Sequence, residues 1–127
     1  MNKILKESES IKNEIINFRR EFHKIPEIGF ELYQTGELIQ RFLKEMSIES
    51  KKTPCGGIVA LIEGDGGEGS VIGLRADMDG LPVKKEETEL IFTSKHDGKM
   101  HSCGHDAHMA MVLGAAKLLN QMKNSFN

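Results

Sequence analysis

Tryptophan is missing from this 127-residue sequence, tyrosine occurs once, and cysteine only twice. Two cysteines cannot make a disulfide scaffold, and Cys55 and Cys103 do not stand in C-x-x-C spacing, which excludes a dithiol redox motif. They could pair with each other on paper; in a reducing compartment, a cysteine flanked by histidines is expected instead to be a metal ligand or a reactive thiol. Long apolar runs are also lacking. The first twenty residues, MNKILKESESIKNEIINFRR, carry charges every few positions, unlike a signal peptide, and no later stretch is long and apolar enough to span a bilayer. The expected location is therefore the cytoplasm, with no membrane partner. Nor does one sign of charge dominate: 17 Lys and Arg stand against 19 Asp and Glu, well interspersed, for a formal net charge of −2. That balance gives no electrostatic footprint for nucleic acid or an anionic surface, and leaves a small molecule or peptide as the expected ligand.

What is present fits one domain, with 39% hydrophobic residues and six Phe to build a core of moderate size. Ile11, Ile15, Phe18 and Phe22 recur at three- and four-residue spacing, which predicts a helix that Pro26 should end. After the loop KIPEIGFELYQ, Thr35 is placed to cap a second helix whose buried face is Leu38, Ile39, Phe42, Leu43 and Met46, with Glu37 in its first turn. From Ile48 the pattern turns to strands. TPCGG reads as a turn, IVALI and SVIGLRA as the two strands of a hairpin, and GDGGEG as the glycine-rich turn between them. GDGGEG is not a phosphate loop, because no lysine follows the glycines and a strand, not a helix, comes next. Residues 77–100 read as a loop with a brief strand around Ile91 and Phe92. A third helix is predicted from about Asp106, with Met109, Val112, Leu113, Ala116 and Leu119 on one face.

The stretch MHSCGHDAHM, Met100 to Met109, concentrates metal-friendly side chains. Cys103 and His105 would point about 200° apart on a helix but to the same side of an extended segment. A shared metal therefore requires this C-x-H to lie just before the third helix, where the apolar period places it. A thiolate and an imidazole suit Zn²⁺ or Mn²⁺, the thiolate favouring Zn²⁺ and carboxylates elsewhere favouring Mn²⁺. Two ligands do not hold an ion alone. His101 and His108 could complete the set, but no second ligand pair lies upstream as structural zinc usually requires, so both are read as groups that orient the ligands or touch substrate. The same residues are also compatible with ordinary packed groups at a helix start. In GLRADMDGLP, Gly73 to Pro82, a strand ends in Asp77 and Asp79, on one side if the strand continues. Either carboxylate could orient a metal-bound histidine, or both could simply mark the turn before Pro82. Arg75 is a candidate buried partner for one of them.

Taken as a set, RREFHKIPEIGFELYQT (Arg19 to Thr35), GLRADMDGLPV (Gly73 to Val83) and DGKMHSCGHDAHMAMVLGAAKLL (Asp97 to Leu119) resemble, in this order and spacing, the M20 metallopeptidase-type amidohydrolases. The branch most alike holds the N-acyl-amino-acid amidohydrolases, hippurate hydrolases and auxin-conjugate hydrolases. The resemblance implies an α/β fold, the opening part of an α-β-α sandwich with a mixed sheet, as in metallo-aminopeptidase-like catalytic domains. Residues 1–127 would be the N-terminal portion of that domain, without a dimerisation domain. It also implies a two-metal hydrolase in which a metal-bridging water, activated by a glutamate base, attacks the acyl carbonyl of an N-acyl amino acid or small peptide. The implied cofactors are two divalent ions, Mn or Zn, with Co or Ni as options, and a homodimer is the assembly open to a longer form.

By motif match, the resemblance implies Cys103 and His105 as the first metal ligands and Asp79 or Asp77 as the active-site carboxylate; His101, Asp106, His108 and Arg75 are the candidates to touch substrate or orient the ligands. His23, Pro26 and Glu27 match a signature read as structural, ending a helix and anchoring a loop. Ser102 and Met109 replace the usual Ala and Thr, and Cys55, where no thiol is expected, is read as a packed small side chain. Members of the family are considerably longer, with a Glu-Glu pair, further histidine ligands and a dimerisation domain beyond the CGHD helix. None of these follows residue 105 here. Beside the hydrolase, the second expectation is thus a truncated, catalytically inactive fragment with at most weak metal or partner binding. Turnover by this chain would require a base from Glu86, Glu87 or Glu89.

Overall fold

The computed structural model describes residues 3–84 and 88–127. Helices α1 (Lys3–Ser10) and α2 (Lys12–His23) meet at Ile11, whose buried side chain continues the apolar stripe of α2 and whose carbonyl accepts the amides of Glu14 and Ile15. As the sequence predicts, α2 stops just short of Pro26. Helix α3 (Tyr33–Glu45) buries Leu38, Ile39, Phe42 and Leu43, again as predicted, but it starts before Thr35. Thr35 is fully buried in the first turn and is not the cap. The cap comes from outside the helix: the Glu27 carboxylate accepts the amides of Gln34 (3.1 Å) and Thr35 (2.8 Å), two of the donors that a helix start leaves unpaired. At the other end, Ser47 turns left-handed (φ 59°) and the Ile48 amide closes back on the Leu43 carbonyl at 2.9 Å.

Strands β1 (Ser50–Lys52) and β2 (Ile58–Ala60) pair antiparallel, Lys51 opposite Val59, around the TPCGG turn. This corrects the predicted hairpin. IVA pairs backwards with SKK across the shorter loop, which costs less closure entropy, and SVIGLRA forms no strand among the described residues. GDGGEG is a turn but does not join two strands: Asp65 and Gly66 donate to the carbonyls of Lys123 and Phe126 in the C-terminal turn. The brief strand around Ile91 and Phe92 is also absent; Ile91 stands in solvent and Phe92 lies under Arg20. Cys55 is exposed, not packed, because the turn points it outward.

Helix α4 (His105–Gln121) begins within one residue of its predicted start and buries Met109, Ala110, Leu113 and Gly114, while Leu119 remains partly exposed. Gly114 permits a close crossing with α2, since a Cβ there would come within 2.9 Å of the Ile15 side chain. The core lies where α2, α3 and α4 meet. Phe42 meets Phe18 in a tilted contact at 4.5 Å and Phe22 edge-on at 5.9 Å, and Ile48, Met109 and Leu113 close the cluster. The architecture is α/β, and no helix among the described residues is long and apolar enough to cross a membrane.

Candidate metal centre

Three segments distant in sequence converge at the start of α4. Leu81 and Met100 exchange both backbone hydrogen bonds (2.9 and 3.0 Å), laying the DMDG segment beside the MHSCGH loop. The Gly80 amide donates to the Glu27 carbonyl at 2.6 Å, so DMDG also rests on the loop after α2. The glycine is required by this close approach: a Cβ at residue 80 would come within 2.8 Å of Pro26 and 3.2 Å of the Met100 carbonyl. The motif's glycine thus holds Asp79 next to the helix start.

The consequence is a contact between Asp79 and His105. The imidazole Nδ1 lies 2.8 Å from the Asp79 carbonyl oxygen and 3.1 Å from its Oδ1. A carbonyl oxygen only accepts, so Nδ1 carries the hydrogen and Nε2 keeps its lone pair, the tautomer a metal ligand needs. Cys103 is exposed one residue before Gly104, whose left-handed φ of 92° turns the chain from the loop into α4. Asp77 goes elsewhere: its carboxylate accepts from Arg75 at 2.5 Å, and both side chains are largely in solvent. The two aspartates do not share a side because the strand does not form, and for the same reason Arg75 is not a buried partner.

His101 is buried and neither of its ring nitrogens has a partner among the described residues. Burial holds its pKa below the ordinary 6.5, against the opposing charges of Asp106 and Asp79, so the imidazole is neutral. Asp106 is fully buried; its Oδ2 accepts from Arg19 Nε at 3.1 Å and from His23 Nδ1 at 2.7 Å, while its Oδ1 has no partner. His108 is exposed, its ring 5.9 Å from that of His105. Sequence reasoning placed Asp106 near the site but took His23 as structural and gave Arg19 no role. Their i, i+4 spacing on one helix face was the available signal; the carboxylate they share lies 83 and 87 residues away.

The donor chemistry fits a transition ion at two positions, the Cys103 thiol and the free Nε2 of His105. Among the described residues no three His, Cys, Asp or Glu side chains converge on one point. Of the acidic residues considered as a base, Glu89 is exposed, and Glu86 and Glu87 lie outside the described residues. Elsewhere, hydrogen bonds from Thr53 and the Gly57 backbone hold the exposed Cys55 thiol below its ordinary pKa, far in sequence from the donors at α4.

Residues 73–127 match peptidase family M20/M25/M40. An N-acetylcysteine deacetylase of Bacillus subtilis strain 168 is 46% identical over 111 residues, 86% of this chain and 29% of that protein. An N-acetyldiaminopimelate deacetylase of Ligilactobacillus salivarius is 38% identical over 117 residues, 91% of this chain and 30% of that protein. Among solved structures, a Bacillus subtilis protein described as a dinuclear metal binding peptidase from the M20 family superposes with a TM-score of 0.84 at 43% identity, over 91% of this chain and 33% of the other. The chain therefore spans about a third of the length of each.

Proposed function

The chain belongs to peptidase family M20, and on that premise we propose that it supplies the N-terminal portion of a catalytic domain that hydrolyses the amide bond of N-acyl amino acids or small peptides. Two similar proteins are named for removing an acetyl group from an amino acid, which supports a small acylated substrate. The observation that carries the reading is the contact between Asp79 and His105, which fixes the imidazole with Nε2 free, two residues along the chain from Cys103. In this reading Cys103 and His105 are the first ligands, Asp79 orients His105, and Asp77 has no part in the chemistry. His101, neutral and buried, offers one donor and one acceptor at the edge of the site, and the exposed His108, its ring 5.9 Å from that of His105, is the candidate to touch substrate. When bound, two divalent ions, Mn²⁺ or Zn²⁺ with Co²⁺ or Ni²⁺ as alternatives, supply an activated water and a polarised acyl carbonyl.

A second reading is favoured by the count of donors. With no third donor converging among the described residues, the chain by itself would hold one ion loosely and hydrolyse nothing. One series of measurements tests both. Co²⁺ added to the chain should give a thiolate-to-metal absorption band that Cys103→Ala and His105→Ala abolish and Cys55→Ala leaves intact. No band in the parent, or unchanged metal stoichiometry in Cys103→Ala, overturns the ligand assignment. Metal-dependent turnover of a panel of N-acetyl and N-benzoyl amino acids by this chain would overturn the second reading.

A further inference from the structure

We propose that Asp106, clamped by Arg19 and His23, is a positioning residue that sets the rotation of α4 and thereby aims His105 at its metal; the proposal rests on the ligand reading above. Asp106 follows His105 in the first turn of α4 and is fully buried. Both of its donors come from one face near the C-terminal end of α2, Arg19 Nε at 3.1 Å and His23 Nδ1 at 2.7 Å, and both reach the same oxygen. A carboxylate only accepts, so His23 carries its hydrogen on Nδ1.

Apart from an ion pair between Lys117 and the half-exposed Glu14 near the far end of the crossing, the rest of the contact between α2 and α4 is apolar: Met109, Ala110 and Leu113 in the core cluster with Phe18 and Phe22, and Gly114 against Ile15. Apolar packing is non-directional and tolerates a small rotation or slide of one helix on another. Two charge-assisted hydrogen bonds to one buried oxygen do not. Because successive residues on a helix are about 100° apart, fixing Asp106 toward α2 fixes the direction of His105 as well. The imidazole is then held from two sides, by its own helix turn through Asp106 and by Asp79 through Nδ1. The clamp is itself braced: the His23 ring meets Phe92 edge-on at 5.8 Å, and the Arg19 and Arg20 guanidinium groups lie 5.9 and 5.1 Å from the centre of that ring.

The test uses Co²⁺ as probe and reads its dissociation constant from the thiolate band, well below the melting temperature of each variant. His23→Ala should weaken Co²⁺ binding about tenfold to a hundredfold, as removing a group that orients a ligand does. His23→Asn, whose amide nitrogen stands where Nδ1 stands, should recover most of that loss. Should His23→Ala not fold, Arg19→Met removes the other donor from a half-exposed position and carries the same expectation. A melting temperature that drops while Co²⁺ affinity stays at the parent value would reduce the clamp to a structural tie and overturn the proposal, as would equal weakening in His23→Ala and His23→Asn. A parent chain with no thiolate band overturns the ligand reading itself, and with it this proposal, whereas a normal parent and unaffected variants overturn only the clamp.

Discussion

Helices α2, α3 and α4 and the segment Val71–Leu74, which lies between β2 and α4, both carry large apolar side chains but have opposite fates. Ile39 in α3 is buried, whereas Ile72 in the segment is 84% exposed and Val71 beside it 89% exposed. A helix satisfies its backbone within itself and needs only one apolar face covered, which three helices do for one another. A β-branched run such as SVIGLRA needs a neighbouring strand for its backbone as well as a surface for its side chains, and among the described residues it has neither. Farther along, the chain is tied down at Gly80 and at the pairing of Leu81 with Met100. The candidate site stands at that junction, with His105 on the helical side and Asp79 on the other.

The sharpest test of the contrast is the core. Phe42 touches both Phe18 and Phe22, and Phe42→Ala should lower unfolding stability by about 3–5 kcal/mol, measured by urea denaturation. A loss under about 1 kcal/mol would mean that the three helices do not form the stable half of the molecule.

Next in size is the junction. Asp79→Asn keeps the backbone carbonyl that His105 Nδ1 approaches at 2.8 Å but removes the charge behind it. Metal affinity should fall about tenfold to a hundredfold, with Asp77→Asn unchanged. If Asp79→Asn binds Co²⁺ as the parent does, the carbonyl alone orients the imidazole.

How far the sequence could be read follows the same division. The period of Ile15, Phe18 and Phe22, the stop before Pro26 and the start of α4 are local features, and all three are readable from the residues that form them. The C-x-H at the helix start belongs with them. The partner of IVA was not readable, because both SKK and SVIGLRA supply runs that can pair with it and the local pattern does not choose between them. The two aspartates were inseparable for a related reason, since alternation puts Asp77 and Asp79 on one side of a strand that does not form. Contacts across long separations leave little local trace: beyond the i, i+4 spacing of Arg19 and His23, nothing in the sequence points to Asp106 as their partner.

Glu27 gives the third prediction, intermediate because it serves one helix end and not the core. Its buried carboxylate holds the amides of Gln34 and Thr35, and Glu27→Ala should cost about 1–2 kcal/mol, in the range of a lost helix cap. Glu27→Gln, which keeps one acceptor, should cost less. Equal costs would show that the charge, more than the hydrogen bonds, stabilises α3.

The smallest effect belongs to the exposed segment, and it is the one that can break the comparison. Ile72→Ser removes an apolar side chain that is 84% exposed and joins no core contact, so it should change stability by no more than about 0.5 kcal/mol. The same chemical change at Ile39, 8% exposed within the core cluster, removes buried apolar surface and leaves a cavity lined with a hydroxyl, so it should cost several times more. Paired urea titrations of Ile39→Ser and Ile72→Ser therefore compare the two regions directly. If Ile72→Ser costs as much as Ile39→Ser, the run from Val71 to Leu74 is packed in solution. If instead it leaves stability unchanged and lowers concentration-dependent association in sedimentation, the exposed run is a sticky surface of a stable helical unit, as neighbouring exposed apolar residues of this kind generally are.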